Sequence, residues 1–74
     1  MKRKNINIKI GKKLRTARKS AHLTQQNVSD HLGVERSVYT RYETGEIEIP
    51  LTTFAVICRV IGADPTQILE DIDI

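Results

Sequence analysis

The segment TQQNVSDHLGVERSVYTRYETG, residues 24–45, carries the strongest structural signal in this sequence. It is typical of two short helices joined by a tight turn at a steep angle. Such a unit needs a small residue where the helices approach each other, and Ser29 meets this need. It needs a turn residue that adopts the left-handed conformation at little cost, and Gly33 does so. Apolar anchors after the turn and on the second helix complete the pattern, namely Val34, Tyr39 and Tyr42.

The residues before this stretch predict one more helix and a basic arm. Ile10, Leu14 and Ala17 recur at helical spacing with Lys and Arg between them, which indicates an amphipathic helix over residues 8–20. The preceding NINIKI alternates like a strand but has no second strand to pair with. We therefore expect a basic arm over residues 1–7.

The residues after this stretch predict two further helices. Residues 51–61 are mostly apolar and are expected to form the fourth helix. Asp64 followed by Pro65 is a helix-capping signal and predicts a fifth helix behind it. The predicted fold is all-α: a compact five-helix domain over residues 8–71, followed by a C-terminal tail over residues 72–74.

Length and composition limit which kinds of functional site this protein can have. A chain of 74 residues corresponds to one domain. Cys58 is the only cysteine, and with His22 and His31 it cannot supply the four ligands of a structural zinc site. We expect Cys58 to be a buried hydrophobic residue, and we expect no metal, no cofactor and no small-molecule ligand. Without an apolar run of about 18 residues or a signal peptide, the sequence indicates a soluble cytoplasmic protein and no membrane association.

Charge is distributed unevenly along the chain. Eleven of the twelve Lys and Arg residues lie in residues 1–42, whereas seven of the nine acids lie in residues 43–74. Such a division favours one basic face turned toward a polyanion, although a basic tail without a partner would give a similar count.

Catalysis has little support in the sequence. His22 and His31 lie on different segments, and neither has a Ser or Cys at motif spacing. The four glycines stand singly, near predicted helix ends, so a glycine-rich phosphate loop is absent. We therefore expect that the protein is not an enzyme.

The stretch resembles the helix-turn-helix of phage repressor and Cro-type proteins, the XRE family. The residues that carry the resemblance are LTQ (23–25), Val28, Ser29, LGV (32–34) and RYETG (41–45). It continues through IGKKLRTAR (10–18), IPL (49–51) and IGADPTQIL (61–69), and so covers about residues 8–70. The order and spacing of these pieces make the resemblance specific, and it implies a lambda-repressor-like fold.

The resemblance implies that the third helix lies in the major groove of DNA. Base edges would be read by Arg36, Ser37, Thr40 and Arg41. Gln25 is also expected among the base-reading residues, and it matches a family position that contacts the DNA backbone and sometimes bases. Arginine bound to guanine is the commonest specific contact of this kind. Phosphate contacts are implied for Thr44 and for Thr24, which is also expected to cap the second helix. The charges of Lys12, Arg3 and Lys4 are predicted to add further phosphate contacts.

The resemblance also implies a structural ion pair between Arg18 and Glu43. The sequence departs from the family pattern at several positions. His22 stands where the family often has Gly, and Glu35 stands where Ser or Thr usually caps the reading helix. The loop that often carries Lys or Arg contains acids, Glu46 and Glu48.

The sequence is compatible with two functions. The first is a sequence-specific double-stranded DNA-binding transcriptional regulator, acting as a homodimer on a palindromic operator. The alternative is a helical protein-interaction module that keeps the fold without reading DNA. For the dimer we expect a surface on the fourth and fifth helices and the tail, with Val56, Val60, Ile68, Ile72 and Ile74 as candidates.

Overall fold

A computed structural model describes residues 3–70 and Ile72, and this part of the chain consists of five α-helices without strands. They are α1 (Arg3–Ser20), α2 (Gln25–Leu32), α3 (Arg36–Thr44), α4 (Leu51–Ile61) and α5 (Pro65–Leu69). The all-α five-helix fold is therefore confirmed. None of these helices is both long and apolar enough to cross a membrane.

The first helix is longer than the sequence indicated. It begins at Arg3, so the basic arm expected over residues 1–7 is not present over residues 3–7. The alternating isoleucines have a helical explanation, because Ile6 and Ile10 are four residues apart and therefore share one face. Ile8 points elsewhere and lies against Gly45 at the end of α3. The alternating isoleucines, whose pattern resembled a strand, thus lie on two faces of one helix.

Short-range signals define the helix ends. The Thr24 hydroxyl accepts a hydrogen bond from the Asn27 amide at 3.0 Å, and the Asn27 side chain accepts one from the Thr24 amide at 2.9 Å. This reciprocal pair satisfies two amides at the start of α2. The glycines that end α2, α3 and α4 are all left-handed, as the sequence predicted. His22 also has a positive φ of 61°. It stands at the position where the family often has Gly, which adopts a positive φ at little cost.

The core forms where all five helices meet, and the closest helix pairs are α1 with α3, α2 with α3 and α2 with α4. Its buried side chains are Leu14, Val28, Tyr39, Tyr42, Phe54, Ile57, Cys58, Ile61 and Ile68. Cys58 is 1% exposed, as expected of a small apolar residue, and burial raises the pKa of its thiol. Ile68 is 6% exposed and belongs to this core. It therefore cannot supply surface for a dimer, in contrast to the expectation.

Two glycines let α1 pass close to the end of α3. A methyl group added at Gly11 would lie 2.7 Å from the carbonyl oxygen of Tyr42 and closer still to that of Glu43. A methyl group added at Gly45 would lie 2.6 Å from the Cα of Ile8. Gly11 is in the middle of α1, so its position reflects packing and not a helix end. This contact holds α1 in one register against α3.

Candidate nucleic-acid interface

The third helix has a buried side and an exposed side. Tyr39, Tyr42 and Glu43 are buried, and the two tyrosine rings meet edge to face with centroids 6.4 Å apart. Arg36, Ser37 and Arg41 are exposed on the other side. Because the buried anchors set the rotation of the helix, the predicted base-reading residues project outward from a rigid support.

The ion pair predicted between Arg18 and Glu43 is present and buried. The Arg18 Nε donates to one carboxylate oxygen of Glu43 at 2.7 Å, and its Nη2 donates to the other at 3.2 Å. The Arg18 Nη1 also donates to the Leu23 carbonyl at 2.8 Å, just before α2 begins. The two side chains are 8% and 2% exposed. One arginine therefore ties α1 both to α3 and to the start of α2.

Electrostatics in this pair favour the charged forms. Burial by itself would raise the pKa of Glu43, but the hydrogen bond from Arg18, with smaller effects of the nearby Tyr39 hydroxyl and of Gln25, overcomes that effect and holds the pKa below its ordinary value. The hydrogen bond to Glu43 raises the pKa of Arg18 despite its burial. Both groups remain ionised at neutral pH, and their charges compensate each other.

The Tyr39 hydroxyl lies near this pair without joining it. The residue is fully buried, and its hydroxyl makes no hydrogen bond to a described residue. Burial raises the pKa of the phenol, so it stays neutral. Tyr39 therefore stabilises the buried side of α3 through packing.

Gln25 and Thr40 are hydrogen-bonded to each other, and Gln25 is also hydrogen-bonded to the buried Glu43. The Gln25 amide nitrogen donates to Glu43 at 3.0 Å, and its amide oxygen accepts from the Thr40 hydroxyl at 2.8 Å. The Thr40 hydroxyl also lies 2.9 Å from the Arg36 carbonyl. Two of the five predicted base-reading residues thus form a chain of hydrogen bonds from α2 to α3. The sequence predicted DNA contacts for both residues but did not predict this link.

Glu35 begins α3 without capping it through its side chain. The residue is exposed, and its carboxylate makes no hydrogen bond to the first-turn amides. The first turn of α3 therefore keeps open backbone donors beside Arg36 and Ser37. Glu35 therefore does not supply the cap that Ser or Thr usually provides at this position of the family.

Glu46 approaches two of the predicted contact residues. Its carboxylate accepts from the Thr44 hydroxyl at 3.3 Å and lies 4.0 Å from the Arg41 Nε. The Arg41 and Glu46 side chains are 58% and 65% exposed, so this pair is weak and readily separated. Glu46 therefore shields Arg41 only loosely.

The cations of α1 divide between two sides of the helix. Arg3 is nine positions before Lys12, about two and a half turns, and the two therefore point in opposite directions. Arg3 pairs with Glu48 at 2.6 Å, beside an apolar groove and away from α2. Lys4 is two turns before Lys12, nearer to its side. Arg3 therefore lies on a different side of α1 from Lys12, although phosphate contacts were predicted for both.

The comparisons with known proteins agree with this geometry. A family model for a helix-turn-helix domain matches residues 9–70, which is most of the chain. The chain belongs to this helix-turn-helix family, which confirms the resemblance to XRE-type DNA-binding proteins.

Several similar proteins carry regulator names. The chain is 40% identical over 57 residues to a putative HTH-type transcriptional regulatory protein of Pyrobaculum aerophilum, covering 77% of this chain and 23% of that protein. It is 37% identical over 57 residues to the uncharacterized HTH-type transcriptional regulator YqaE of Bacillus subtilis, covering 77% and 49%. It is 32% identical over 61 residues to the SPbeta prophage-derived regulator YonR of the same organism, covering 82% and 56%. The chain thus spans about a quarter to just over half the length of these relatives.

One solved structure has the same fold. The clp gene regulator ClgR from C. glutamicum superposes with a TM-score of 0.82 over 88% of this chain and 84% of that chain. The sequences are 22% identical, so this likeness bears on the fold alone.

Proposed function

We propose that this chain binds double-stranded DNA in a sequence-specific manner and acts as a transcriptional regulator, with α3 in the major groove. The observation that carries the proposal is the exposed face of α3. It presents Arg36, Ser37 and Arg41, whose side chains match base edges, on a helix whose opposite side is buried. The names of the HTH-type relatives support the same role.

This face is less suited to a protein partner. Among the described residues, the exposed large apolar side chains are Leu51 and Leu69, and neither lies on α3. Protein interfaces are centred on apolar and aromatic side chains, whereas short polar residues and arginines are typical of contacts to bases. The composition of the α3 face therefore favours DNA over the alternative of a protein-interaction module.

Selection from a random duplex pool tests the proposal. We expect enrichment of one half-site that contains guanine. Enrichment of two inverted half-sites about one helical turn apart would support a dimer on a palindrome. A pool that shows no enrichment after several rounds would favour the protein-interaction module instead.

Arg41→Ala is expected to weaken binding to the selected site by about 1–3 kcal/mol and to relax preference at one base pair. The physical reason is the loss of the two donors with which a guanidinium binds guanine. The measurement is fluorescence anisotropy against duplexes that carry all four base pairs at each position. Arg59→Ala, which removes an exposed cation from α4, is the control. Equal loss for every duplex would mean that Arg41 contacts only the backbone.

We also propose that the regulator is a homodimer, with a surface different from the one expected from sequence. Val56 and Val60 are partly buried, Ile72 is partly buried, and Ile74 lies outside the described residues. The exposed apolar surface lies elsewhere, at Leu51, which is 82% exposed.

Leu51 lies on the edge of an apolar groove of about 370 Å³ between α1, the loop before α4 and the end of α5. The groove is lined in part by Ile6, Ile47, Ile49 and Leu69, and its rim carries both charges of the Arg3–Glu48 pair. A projecting leucine beside a groove, with both signs of charge on the rim, fits a second copy of the same surface.

Leu51→Lys is expected to raise the dimer dissociation constant more than about tenfold, since each copy loses an apolar contact worth roughly 1.5–3 kcal/mol. The thermal midpoint of the monomer should change little, because the side chain is exposed. Sedimentation equilibrium measures the association, and Thr52→Lys adds the same charge at the neighbouring exposed position as a control. An unchanged dimer in the Leu51 variant would exclude this surface.

A further inference from the structure

The turn that ends α3 holds Glu46 at a fixed place relative to Arg41. The backbone amide of Glu46 donates to the Arg41 carbonyl at 3.1 Å. The preceding amide, that of Gly45, donates to the Tyr42 carbonyl at 3.3 Å. These two bonds define a Schellman motif, in which the chain folds back onto the last turn of the helix it has just left. Gly45 also lies against Ile8 of α1, so the turn is packed and its position is fixed.

This turn directs the Glu46 side chain at Arg41. The two positions that a Schellman motif brings together commonly make an apolar contact, but here they carry opposite charges. The Glu46 carboxylate lies 4.0 Å from the Arg41 Nε and 3.3 Å from the Thr44 hydroxyl. Among the described residues, no acceptor occupies the two terminal Nη groups of Arg41. The side chain that approaches Arg41 therefore leaves free the donors that a guanine would use.

An arginine at the major groove has two kinds of partner on DNA. Its Nη groups can donate to O6 and N7 of guanine, or the group can turn to a phosphate, which every sequence offers. A carboxylate beside the guanidinium cancels part of its charge and repels the phosphate. Guanine is bound through directed hydrogen bonds and carries no net charge, so it is opposed less. Glu46 therefore disfavours the phosphate position of Arg41 relative to the guanine position.

The strength of this effect depends on water. In the free protein the Arg41 and Glu46 side chains are 58% and 65% exposed, and the pair is loose. DNA in contact with α3 would displace water from the pair. Opposite charges attract more strongly where water is excluded, so the pair is expected to tighten in the complex.

We infer that Glu46 is a specificity-determining residue that acts through Arg41, by holding the guanidinium toward guanine and away from phosphate. The inference rests on the proposed function, because it requires α3 in the major groove. It gives a role to an acid in the loop where the family often carries Lys or Arg. Glu46 is a positioning residue and requires no contact of its own with DNA.

Glu46→Gln tests the inference, because it removes the charge and keeps the shape of the side chain. Fluorescence anisotropy is measured with the selected duplex and its three variants at the base pair where Arg41→Ala relaxes the preference. Affinity for all four duplexes should rise, since a charge that repels phosphate is lost. The preference for guanine at that base pair should fall by about twofold to fivefold, as expected from the strength of exposed ion pairs.

Two controls separate positioning from simple repulsion of phosphate. In the Arg41→Ala background, Glu46→Gln should leave the remaining base preference unchanged. Glu48→Gln removes the same charge from the same loop, but Glu48 pairs with Arg3 at 2.6 Å and does not approach Arg41. It should leave the base preference at wild-type level. Both glutamine variants should melt like the wild type by circular dichroism, because the side chains are exposed.

A Glu46→Gln variant that binds all four duplexes more tightly by the same factor would overturn the inference, since Glu46 would then only repel phosphate. If the wild type is selective but Arg41→Ala relaxes no base pair, the inference fails and the proposed function stands. If selection enriches no duplex, sequence-specific binding fails and the inference fails with it.

Discussion

Replacement of Arg18 by methionine is expected to lower the free energy of unfolding by about 3–5 kcal/mol. The substitution leaves the Glu43 carboxylate, which is 2% exposed, without its charged partner. It also leaves the Leu23 carbonyl without the hydrogen bond from Arg18. Chemical denaturation followed by circular dichroism measures the loss.

Lys9→Met serves as the matched control for this experiment. It removes a cation from an exposed position of the same helix and should change stability by no more than about 0.5 kcal/mol. Replacing both Arg18 and Glu43 by methionine should be less harmful than replacing Arg18 alone, because no buried charge is left unpaired. If Arg18→Met is no worse than Lys9→Met, the pair does not support the fold.

The same pair predicts a dependence on pH. Since the folded protein holds the pKa of Glu43 below its ordinary value of 4.5, its contribution is fully present above that pH. The contribution is lost as the pH falls through the folded pKa, because the carboxylate must then be protonated. Stability should therefore fall more steeply below pH 4.5 in the wild type than in Glu43→Gln, as measured by denaturation across an acid series.

Gly11→Ala is expected to destabilise the domain by about 2–3 kcal/mol. The added methyl group would overlap the backbone carbonyls of Tyr42 and Glu43, which cannot move aside as a side chain could. Alanine is the better helix former by about 1 kcal/mol, so the sign of the effect depends on the close approach of the helices. Thermal and chemical denaturation give the sign and the size.

Gly62→Ala is the control for this substitution. A methyl group there meets nothing within 4 Å, and the φ of 70° leaves only the strain of the left-handed conformation. That strain is roughly 1–2 kcal/mol. If Gly11→Ala stabilised the protein, the tight contact between α1 and α3 would be wrong.

Most of the fold could be predicted because its signals are local. The cap at Thr24, the left-handed glycines and the 3.6-residue spacing of apolar residues act within one or two turns. The beginning of α1 was missed because isoleucine at every second position matches a strand as well as two faces of a helix. Gly11 could have been recognised, since a glycine in the middle of a helix usually marks a close contact.

The site was predicted less completely than the fold. The sequence placed Arg36 and Arg41 on the outward side of α3, since the tyrosines define its inward side. It did not distinguish the two sides of α1, so Arg3 and Lys12 were grouped together. Nor did it show that Gln25 is already bonded to Glu43 and Thr40, which are 18 and 15 residues away in the chain.

Five helices, a helix-turn-helix formed by two of them, and inward positions such as Val28, Tyr39 and Tyr42 could all be inferred from the sequence. These properties depend on spacing and capping, which act between near neighbours. Which side of α1 faces the other helices depends on tertiary packing, and the same packing brings Gln25 within hydrogen-bonding distance of Glu43 and Thr40. That outcome depends on the close contact of Gly11 with the end of α3, and such contacts arise only when the whole chain packs.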